Sequence, residues 1–242
     1  MSLEESLNFR RSVRKYDPEK PIDSEKVKKC IELATLAPNS SNMQLWEFIH
    51  VTDPEMLKRL SVACFNQSAA TTAKEMVVFV TRQDLYRKRA KANLNFEYGN
   101  IRKYSPPERQ EKRIKDRELY YGKVMPLLYA RFFGVIGFFR KLVTSAAGFF
   151  RPTMYQASES DMRVVVHKTC ALAAQTFMIA MAEQGYDTCP MEGLDSHRVK
   201  KILNLPSGAG INMIVSCGIR KGNEGIWGER FRVPFEEVYT RI

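Results

Sequence analysis

The sequence has few residues of the kinds that bind metals or form disulfides. Its 242 residues include five cysteines and three histidines, and no two cysteines have CxxC spacing. Because the cysteines are odd in number and mostly have apolar neighbours, we expect reduced thiols in the core. The histidines are isolated and lack zinc-ligand spacing. We expect neither a disulfide framework nor a metal site.

The sequence also has no uncharged apolar run of the length that spans a membrane. Such a span needs about 18 or more consecutive apolar residues. The N-terminal letters MSLEESLNF are acidic and have no apolar centre, unlike a signal peptide. We therefore expect a cytoplasmic protein. The hydrophobic share of 44% and charged share of 27% are typical of a folded chain.

Motifs that read nucleic acids are missing as well, although the net charge is +11. No helix-turn-helix, zinc-finger or RNP-like pattern occurs. The basic stretch 83–123 keeps duplex binding open as an alternative, one that predicts strongly salt-dependent affinity. Without a motif, we expect no nucleic-acid partner and look for a smaller anionic ligand.

The stretch FRRSVRKY, residues 9–16, offers a candidate site for such a ligand. It places Arg10, Arg11, Ser12 and Arg14 within five residues. Guanidinium groups are planar forks that bind phosphate bidentately, and a serine hydroxyl adds one more donor. A cluster of this kind suits a phosphate monoester, although an isolated basic cluster is more often a solvated turn.

A second polar stretch, APNSSNMQLW at residues 37–46, follows a predicted helix that starts near Asp23 or Ser24 and ends before Pro38. Its short side chains can grip a flat heterocycle and its polyol by neutral hydrogen bonds. An ordinary Asn/Ser turn has the same composition.

The hydrophobic pattern predicts one α+β domain with an insertion. Before the insertion we expect a short first helix with Leu3, Leu7 and Phe9 on its apolar side. Further elements are expected at 47–51 (strand), 53–63 (helix) and 76–81 (strand). After the insertion the pattern predicts a buried helix at 161–184, a helix opened by Asp195-Ser196, and a central strand at 211–219.

Residues 83–160 form the predicted helical insertion within the single domain 1–242. Its segment Val124–Phe150 is apolar but carries Arg131, Arg140 and Lys141. Such a segment can lie on a membrane, with its phenylalanines inserted and its basic residues at the headgroups. A lid or subunit-contact helix is the more common role and is favoured by the sequence alone.

Four motifs in the order FRRSVRKY, APNSSNMQLW, CPMEG and ERFRVP resemble the nitroreductase family of FMN-dependent oxidoreductases. The resemblance covers residues 4–81 and 161–236 and leaves out the insertion. It implies a mixed, largely antiparallel central sheet surrounded by helices, in an intertwined homodimer with two flavins at the interface. The family's loop commonly ends Gln-Pro-Trp; Leu45 replaces that proline, and Asn39 replaces a frequent serine.

The resemblance also implies roles for individual residues. The N-terminal cluster would bind the FMN phosphate, ribityl chain and pyrimidine edge, and Arg230 and Arg232 would complete the phosphate site. The 37–46 loop would meet the flavin from the partner subunit, and the Gly193 amide would face its redox-active nitrogen. The full set of expected FMN contacts is Arg10, Arg11, Ser12, Arg14, Ser40, Ser41, Asn42, Gln44, Asn66, Gln67, Pro190, Met191, Glu192, Gly193, Arg230 and Arg232.

The implied activity is the reduction of nitro compounds, quinones or similar electron-poor acceptors, with NAD(P)H as donor, by ping-pong hydride transfer. The flavin carries this chemistry, so no protein nucleophile or general base is expected. Glu192 and Gly193 would position the flavin. The alternative is a flavin-binding protein at a membrane surface, acting through 124–150 without efficient turnover.

Overall fold

A computed structural model describes all 242 residues and shows an α+β architecture with eleven α-helices and one four-stranded sheet. The strands are β1 (Trp46–Val51), β2 (Glu75–Thr81), β3 (Asp187–Met191) and β4 (Gly210–Gly218). The helices are α1 (Leu3–Phe9), α2 (Ser24–Ala34), α3 (Pro54–Ala63), α4 (Ser68–Thr71), α5 (Tyr86–Tyr104), α6 (Pro107–Leu119), α7 (Met125–Tyr129), α8 (Val135–Gly148), α9 (Glu159–Glu183), α10 (Ser196–Ile202) and α11 (Phe235–Val238).

The sheet has the order β1-β2-β4-β3, and every neighbouring pair is antiparallel. The only parallel pairing is an isolated bridge between Ser12 and Thr188 at the β3 edge. The prediction of a largely antiparallel sheet surrounded by helices is confirmed. β2 is buried along its whole length, as expected of a strand covered on both faces.

The long helix α9 covers one face of the sheet. Cys170, Ala173 and Phe177 of α9 pack on Val77 and Phe79 of β2. Burying a residue as large as Phe177 contributes about 2–3 kcal/mol. By length and composition α9 could cross a membrane, but most of its buried residues belong to this core.

Helices α3 and α10 cover the opposite face. Leu60 and Ala63 of α3, with Val199 of α10, pack on Val78 of β2 and Ile214 of β4. All five cysteines are free and buried, as predicted. Burial raises the pKa of the Cys30 and Cys64 thiols to about 11, so these side chains behave as small apolar residues.

The structure adds detail to several predicted elements. The apolar side of α1 is not buried in this chain: Leu3 is 65% and Leu7 39% exposed, and Ser6 is its one buried residue. α2 ends at Ala34, four residues before Pro38. α9 starts at Glu159 rather than Asp161, because Ser158 and Asp161 form a capping box.

Four helices, α5 to α8, lie within the predicted insertion at 83–160. A π-helical turn, Tyr120–Val124, joins α6 to α7. Met43 and Leu45, from the end of the 37–46 loop, pack in a third cluster with Tyr121, Met125 and Tyr129. The π-helical turn and α7 therefore pack directly against the end of the 37–46 loop.

Candidate functional site

The N-terminal basic stretch lies beside the edge strand β3. Ser12 pairs with Thr188 as a parallel bridge, and the Val13 N–H donates to the Thr188 carbonyl at 3.1 Å. Val13 is fully buried, whereas Ser12 and Arg14 on either side of it are exposed. Because side chains alternate along an extended segment, Ser12 and Arg14 project to the same side.

The two ends of the chain meet at this stretch. The guanidinium of Arg230 donates to the Leu7 carbonyl at 3.1 Å and the Asn8 carbonyl at 3.0 Å, and also to the carbonyl of Arg10. These groups lie at the end of α1, where carbonyls lack helical partners. Arg11 in turn donates to the Gly228 carbonyl at 3.0 Å. The tail is therefore fixed against the N-terminal stretch.

Positive charge accumulates where the two ends meet. Burial, together with the nearby charges of Arg230 and Arg232, lowers the pKa of Arg10. Burial and the charges of Arg232 and Arg11 lower the pKa of Arg230 in the same way. No carboxylate is among the charges acting on either side chain. The cluster is thus an uncompensated cationic site, which an anion would stabilise.

The members of this cluster differ in how free they are. The Arg230 guanidinium donates to three backbone carbonyls and so holds the tail against the N-terminal stretch. The Arg14 side chain is exposed and has no hydrogen-bond partner in the chain, and the Arg232 side chain donates only to its neighbouring Phe231 carbonyl. Arg10, Arg14 and Arg232 therefore keep donors for a ligand.

An ion pair that the motifs did not predict supports the basic stretch from behind. Asp187, at the start of β3, is almost completely buried and accepts from the Arg220 side chain, with one Nε–Oδ1 distance of 2.9 Å. Arg220 also donates to the Phe9 carbonyl at 3.0 Å, and its guanidinium lies 4.4 Å from the Phe9 ring centroid. The pair is 33 residues apart in sequence, so no local pattern signals it.

The CPMEG stretch ends β3 and presents a free backbone donor. Pro190 and Met191 pair with Val215 and Ile214 of β4, and Glu192 and Gly193 follow, exposed. The Gly193 N–H donates to no group in the chain. A Cβ built on Gly193 meets only the Gln67 amide nitrogen, at 3.8 Å, so the space beside this glycine is open.

The predicted amide at Asn66 or Gln67 lies next to this donor. Gln67 donates to the Gly193 carbonyl at 2.8 Å and to the Cys64 carbonyl at 3.1 Å, so its side chain holds the CPMEG turn. Asn66 is exposed, adopts a left-handed backbone (φ 51°) and has no side-chain partner. Of the two amides, Asn66 is the one with free donors and acceptors.

His167 of α9 was not among the predicted site residues, yet it lies close to Glu192. Burial and the charge of Arg163 lower the pKa of His167, while the charge of Glu192 opposes this shift. Asn212 of β4 donates to the His167 carbonyl at 3.1 Å. Its own side-chain oxygen is buried without a partner. An isolated histidine in an apolar helix gives no sequence signal for this position.

The 37–46 loop is built separately from the other motifs. Ser41, Asn42 and Gln44 all have positive φ, between 47° and 53°, which is unusual for residues other than glycine. Gln44 is turned inward: its backbone N–H donates to the Asn39 side chain at 2.9 Å and its amide to the Asn42 carbonyl.

Side chains of the insertion hold this loop in place. Asn93 of α5 donates to the Asn42 carbonyl at 2.8 Å and accepts from the Asn42 amide at 3.0 Å. The Tyr121 hydroxyl donates to the Ser41 carbonyl at 3.1 Å. The Ser41 hydroxyl lies 2.7 Å from that of Tyr120. No hydrogen bond or ion pair joins the loop to the arginine cluster or to Gly193, so one chain forms two separate half-sites.

Taken together, the first half-site combines an uncompensated arginine cluster with a free backbone N–H at the end of an edge strand. The second is a strained polar loop. No group of three or more His, Cys, Asp or Glu side chains is arranged to hold a metal ion. The α+β fold therefore presents a donor set of arginines, a free backbone N–H and neutral polar side chains that suits a phosphate-bearing organic ligand.

Comparison with known proteins identifies the family. The model described as "Nitroreductase family" matches residues 7–219, and the chain belongs to the nitroreductase family. Protein DrgA of Synechocystis sp. is 26% identical over 220 residues, covering 91% of this chain and 85% of that protein. "Putative NAD(P)H nitroreductase MhqN" of Bacillus subtilis is 24% identical over 232 residues, with 96% and 94% covered.

Solved structures agree on the fold. A nitroreductase family protein from Streptococcus pneumoniae matches with a TM-score of 0.66 at 20% identity, over the full length of both chains. A structure from Exiguobacterium sibiricum determined in complex with FMN matches with a TM-score of 0.69 at 20% identity, covering 100% of this chain and 98% of that one.

Proposed function

We propose that this protein is an FMN-dependent NAD(P)H oxidoreductase that reduces nitro compounds, quinones or similar electron-poor acceptors. The observation that carries the proposal is the arginine cluster formed by both ends of the chain, in which no arginine forms an ion pair with a carboxylate and burial and neighbouring charges lower the pKa of Arg10 and Arg230. The names of relatives and the FMN complex of a structural neighbour support the same reading.

The donor set fits FMN. Arg10, Arg14 and Arg232 have the planar donors that bind a phosphate, and Ser12 projects from the same side as Arg14. Gly193 contributes a backbone N–H with open space in front of it. Asn66 has a free side-chain amide nearby. Arg11, Gln67 and Arg230 hold the surrounding backbone and so act as positioning residues.

When bound, FMN supplies the redox chemistry, by accepting a hydride from NAD(P)H and passing electrons to the acceptor in a ping-pong cycle. The protein orients the ring, and the Gly193 N–H donates a hydrogen bond where negative charge develops on reduction. A backbone donor there leaves the ring face free of side chains. Pro190, Met191 and Glu192 shape the turn that aims this donor.

We propose further that the active form is a homodimer and that it works in the cytoplasm. Ser40, Ser41 and Asn42 would then reach the flavin held by the partner, which accounts for their separation from the arginine cluster in one chain. The tail supports this arrangement, since Trp227 is 97% and Phe231 79% exposed. Partner contact would also cover the exposed apolar residues of α1.

The test is the absorbance spectrum of the purified protein before and after NADH or NADPH, followed by addition of a nitroarene or quinone. We expect flavin absorbance that is bleached by the donor and restored by the acceptor. Bound flavin that neither donor reduces would refute the oxidoreductase and favour the alternative, a flavin-binding protein at a membrane surface.

A matched pair of variants tests the phosphate site. Arg14→Ala with Arg232→Ala removes two charged donors, each contributing about 1.5–3 kcal/mol when hydrogen-bonded to an anion. We expect FMN affinity to fall at least about 100-fold while riboflavin affinity stays unchanged, because riboflavin has no phosphate. Arg102→Ala with Arg109→Ala removes the same charge from the insertion and should keep FMN. Retention of FMN by the first variant contradicts the assignment.

A further inference from the structure

The outer face of α8 is apolar, which is the reverse of an ordinary surface helix. Phe138 is 65%, Leu142 58% and Val143 66% exposed. Phenylalanines continue this face beyond both ends of the helix, with Phe133 at 95% and Phe150 at 92% exposed. Contiguous exposed apolar surface of this kind marks an interaction site.

The inner face of α8 is held by polar contacts. Arg140 is buried, and its guanidinium donates to the Leu127 and Leu128 carbonyls at 2.6 and 2.7 Å and to the Ala157 carbonyl at 2.8 Å. It therefore satisfies the carboxyl end of α7. The expectation that Arg140 lies at a headgroup surface is wrong, because these carbonyls bind it inside.

A second polar contact fixes the beginning of α8. The Glu159 carboxylate accepts from the backbone N–H groups of Phe132 and Gly134, both at 3.0 Å. Gly137 faces the same residue so closely that a Cβ would lie 2.5 Å from the Glu159 nitrogen. Turning α8 to bury its phenylalanines would break the contacts of both Arg140 and Glu159. The apolar face is thus held outward.

Contact with the candidate site does not account for this face. The side chains that hold the 37–46 loop, Asn93, Tyr120 and Tyr121, come from α5 and the π-helical turn. No hydrogen bond or ion pair joins α8 to a predicted FMN contact. We therefore assign the lid function expected of the insertion to α5 and the π-helical turn rather than to α8.

The charge around the face is of one sign. No Asp or Glu occurs between Glu118 and Glu159. Four exposed basic residues lie in the same interval: Lys123, Arg131, Lys141 and Arg151. An open apolar groove of about 470 Å³, lined by residues that include Leu127, Val143 and Met154, runs beside the face. An apolar segment whose own exposed charges are all cations complements a layer of acyl chains below anionic headgroups.

We propose that the face formed by Phe133, Phe138, Leu142, Phe149 and Phe150 docks this protein on an anionic lipid bilayer. The phenylalanines would insert at the headgroup boundary while the four basic residues contact lipid phosphates. On α8 itself Lys141 is the only exposed charged side chain, so a bilayer suits this face better than a protein surface with hydrogen bonds to satisfy. The inference stands independently of the proposed oxidoreductase activity.

Flotation with vesicles tests the proposal on the full-length protein. We expect it to float with phosphatidylglycerol-containing vesicles at low salt and much less with pure phosphatidylcholine vesicles. Phe138→Gln with Leu142→Gln should weaken binding at least tenfold. Lys141→Gln with Arg151→Gln should weaken it about 25-fold, since each basic residue near such a surface contributes about fivefold.

The control keeps the number of apolar residues removed constant. Phe96→Gln with Leu119→Gln changes two exposed apolar side chains on α5 and α6 and should leave flotation unchanged. Circular dichroism and melting temperature check that all variants are folded. Absence of flotation by the parent protein overturns the proposal, as does equal binding to both vesicle types at all salt concentrations. Sedimentation velocity tests whether the face instead mediates self-association. Dissociation of the Phe138/Leu142 variant, with no binding of the parent protein to vesicles, would show self-association and would overturn the proposal.

Discussion

Replacing Asp187 tests whether the buried ion pair with Arg220 organises the basic stretch. Asp187→Ala leaves the guanidinium of Arg220, whose side chain is only 24% exposed, without its carboxylate. Removing one partner of such a pair costs about 3–5 kcal/mol. Asp187→Asn keeps one oxygen acceptor and loses one charge-assisted interaction, so we expect a loss of about 2 kcal/mol.

The assay is urea unfolding followed by circular dichroism, with FMN affinity measured on the same samples. Because Arg220 also holds the Phe9 carbonyl and ring, we expect FMN affinity to fall with stability. Glu224→Gln breaks the exposed Lys15–Glu224 pair and serves as the control, for which we expect little change. Asp187→Leu with Arg220→Met removes both charges and should recover part of the stability lost in Asp187→Ala. If Asp187→Ala unfolds within about 1 kcal/mol of the parent, the pair does not have this function.

Two further predictions concern the insertion. Asn93→Leu removes both hydrogen bonds to Asn42, so the strained 37–46 loop should relax; we expect faster amide exchange at 39–44 and weaker FMN binding, whereas exposed Asn95→Leu on the same helix should change neither. The second prediction concerns Glu159, which holds the beginning of α8. Burial raises the pKa of its carboxyl group, but the backbone hydrogen bonds that it accepts lower the pKa by more, so the pKa lies below the usual value near 4.5. A lowered pKa in the folded state gives stability that is present above the unfolded value and lost as pH falls through the folded one. The protection of α8 amides, corrected for the intrinsic pH dependence of exchange, should therefore fall below about pH 4.5, and Glu159→Gln should abolish this fall; a parent whose protection does not change with pH would contradict the capping function of Glu159.

Local patterns in the sequence predict much of this fold. The apolar residues of α9 and the alternation or burial of β1, β2 and β4 place three strands and the central helix within one or two residues. β3 was not predicted, because five residues that include Pro190 give too short a signal. The spacing of Leu3, Leu7 and Phe9 indicates the apolar side of α1, but not what that side contacts.

The candidate site divides in a similar way. The order of the motifs indicates Arg10, Arg14, Gly193 and Arg232, and the structure shows that the two ends of the chain do meet. The supporting pairs escape prediction because they are long-range: Asp187 with Arg220 and Asn42 with Asn93 carry no motif. The orientation of α8 also escapes it, since the contacts of Arg140 and Glu159 that fix the helix carry no motif.

The meeting of both chain ends has a consequence for biosynthesis. Arg10 and Arg230 are 220 residues apart in sequence, yet one hydrogen bond joins them. During translation, the N-terminal stretch leaves the ribosome before the segment that holds Arg230. Until Arg230 and Arg232 have been synthesised, the arginine cluster lacks the residues that the tail contributes. If FMN binds here as we propose, cofactor loading would require a chain synthesised at least as far as Arg232.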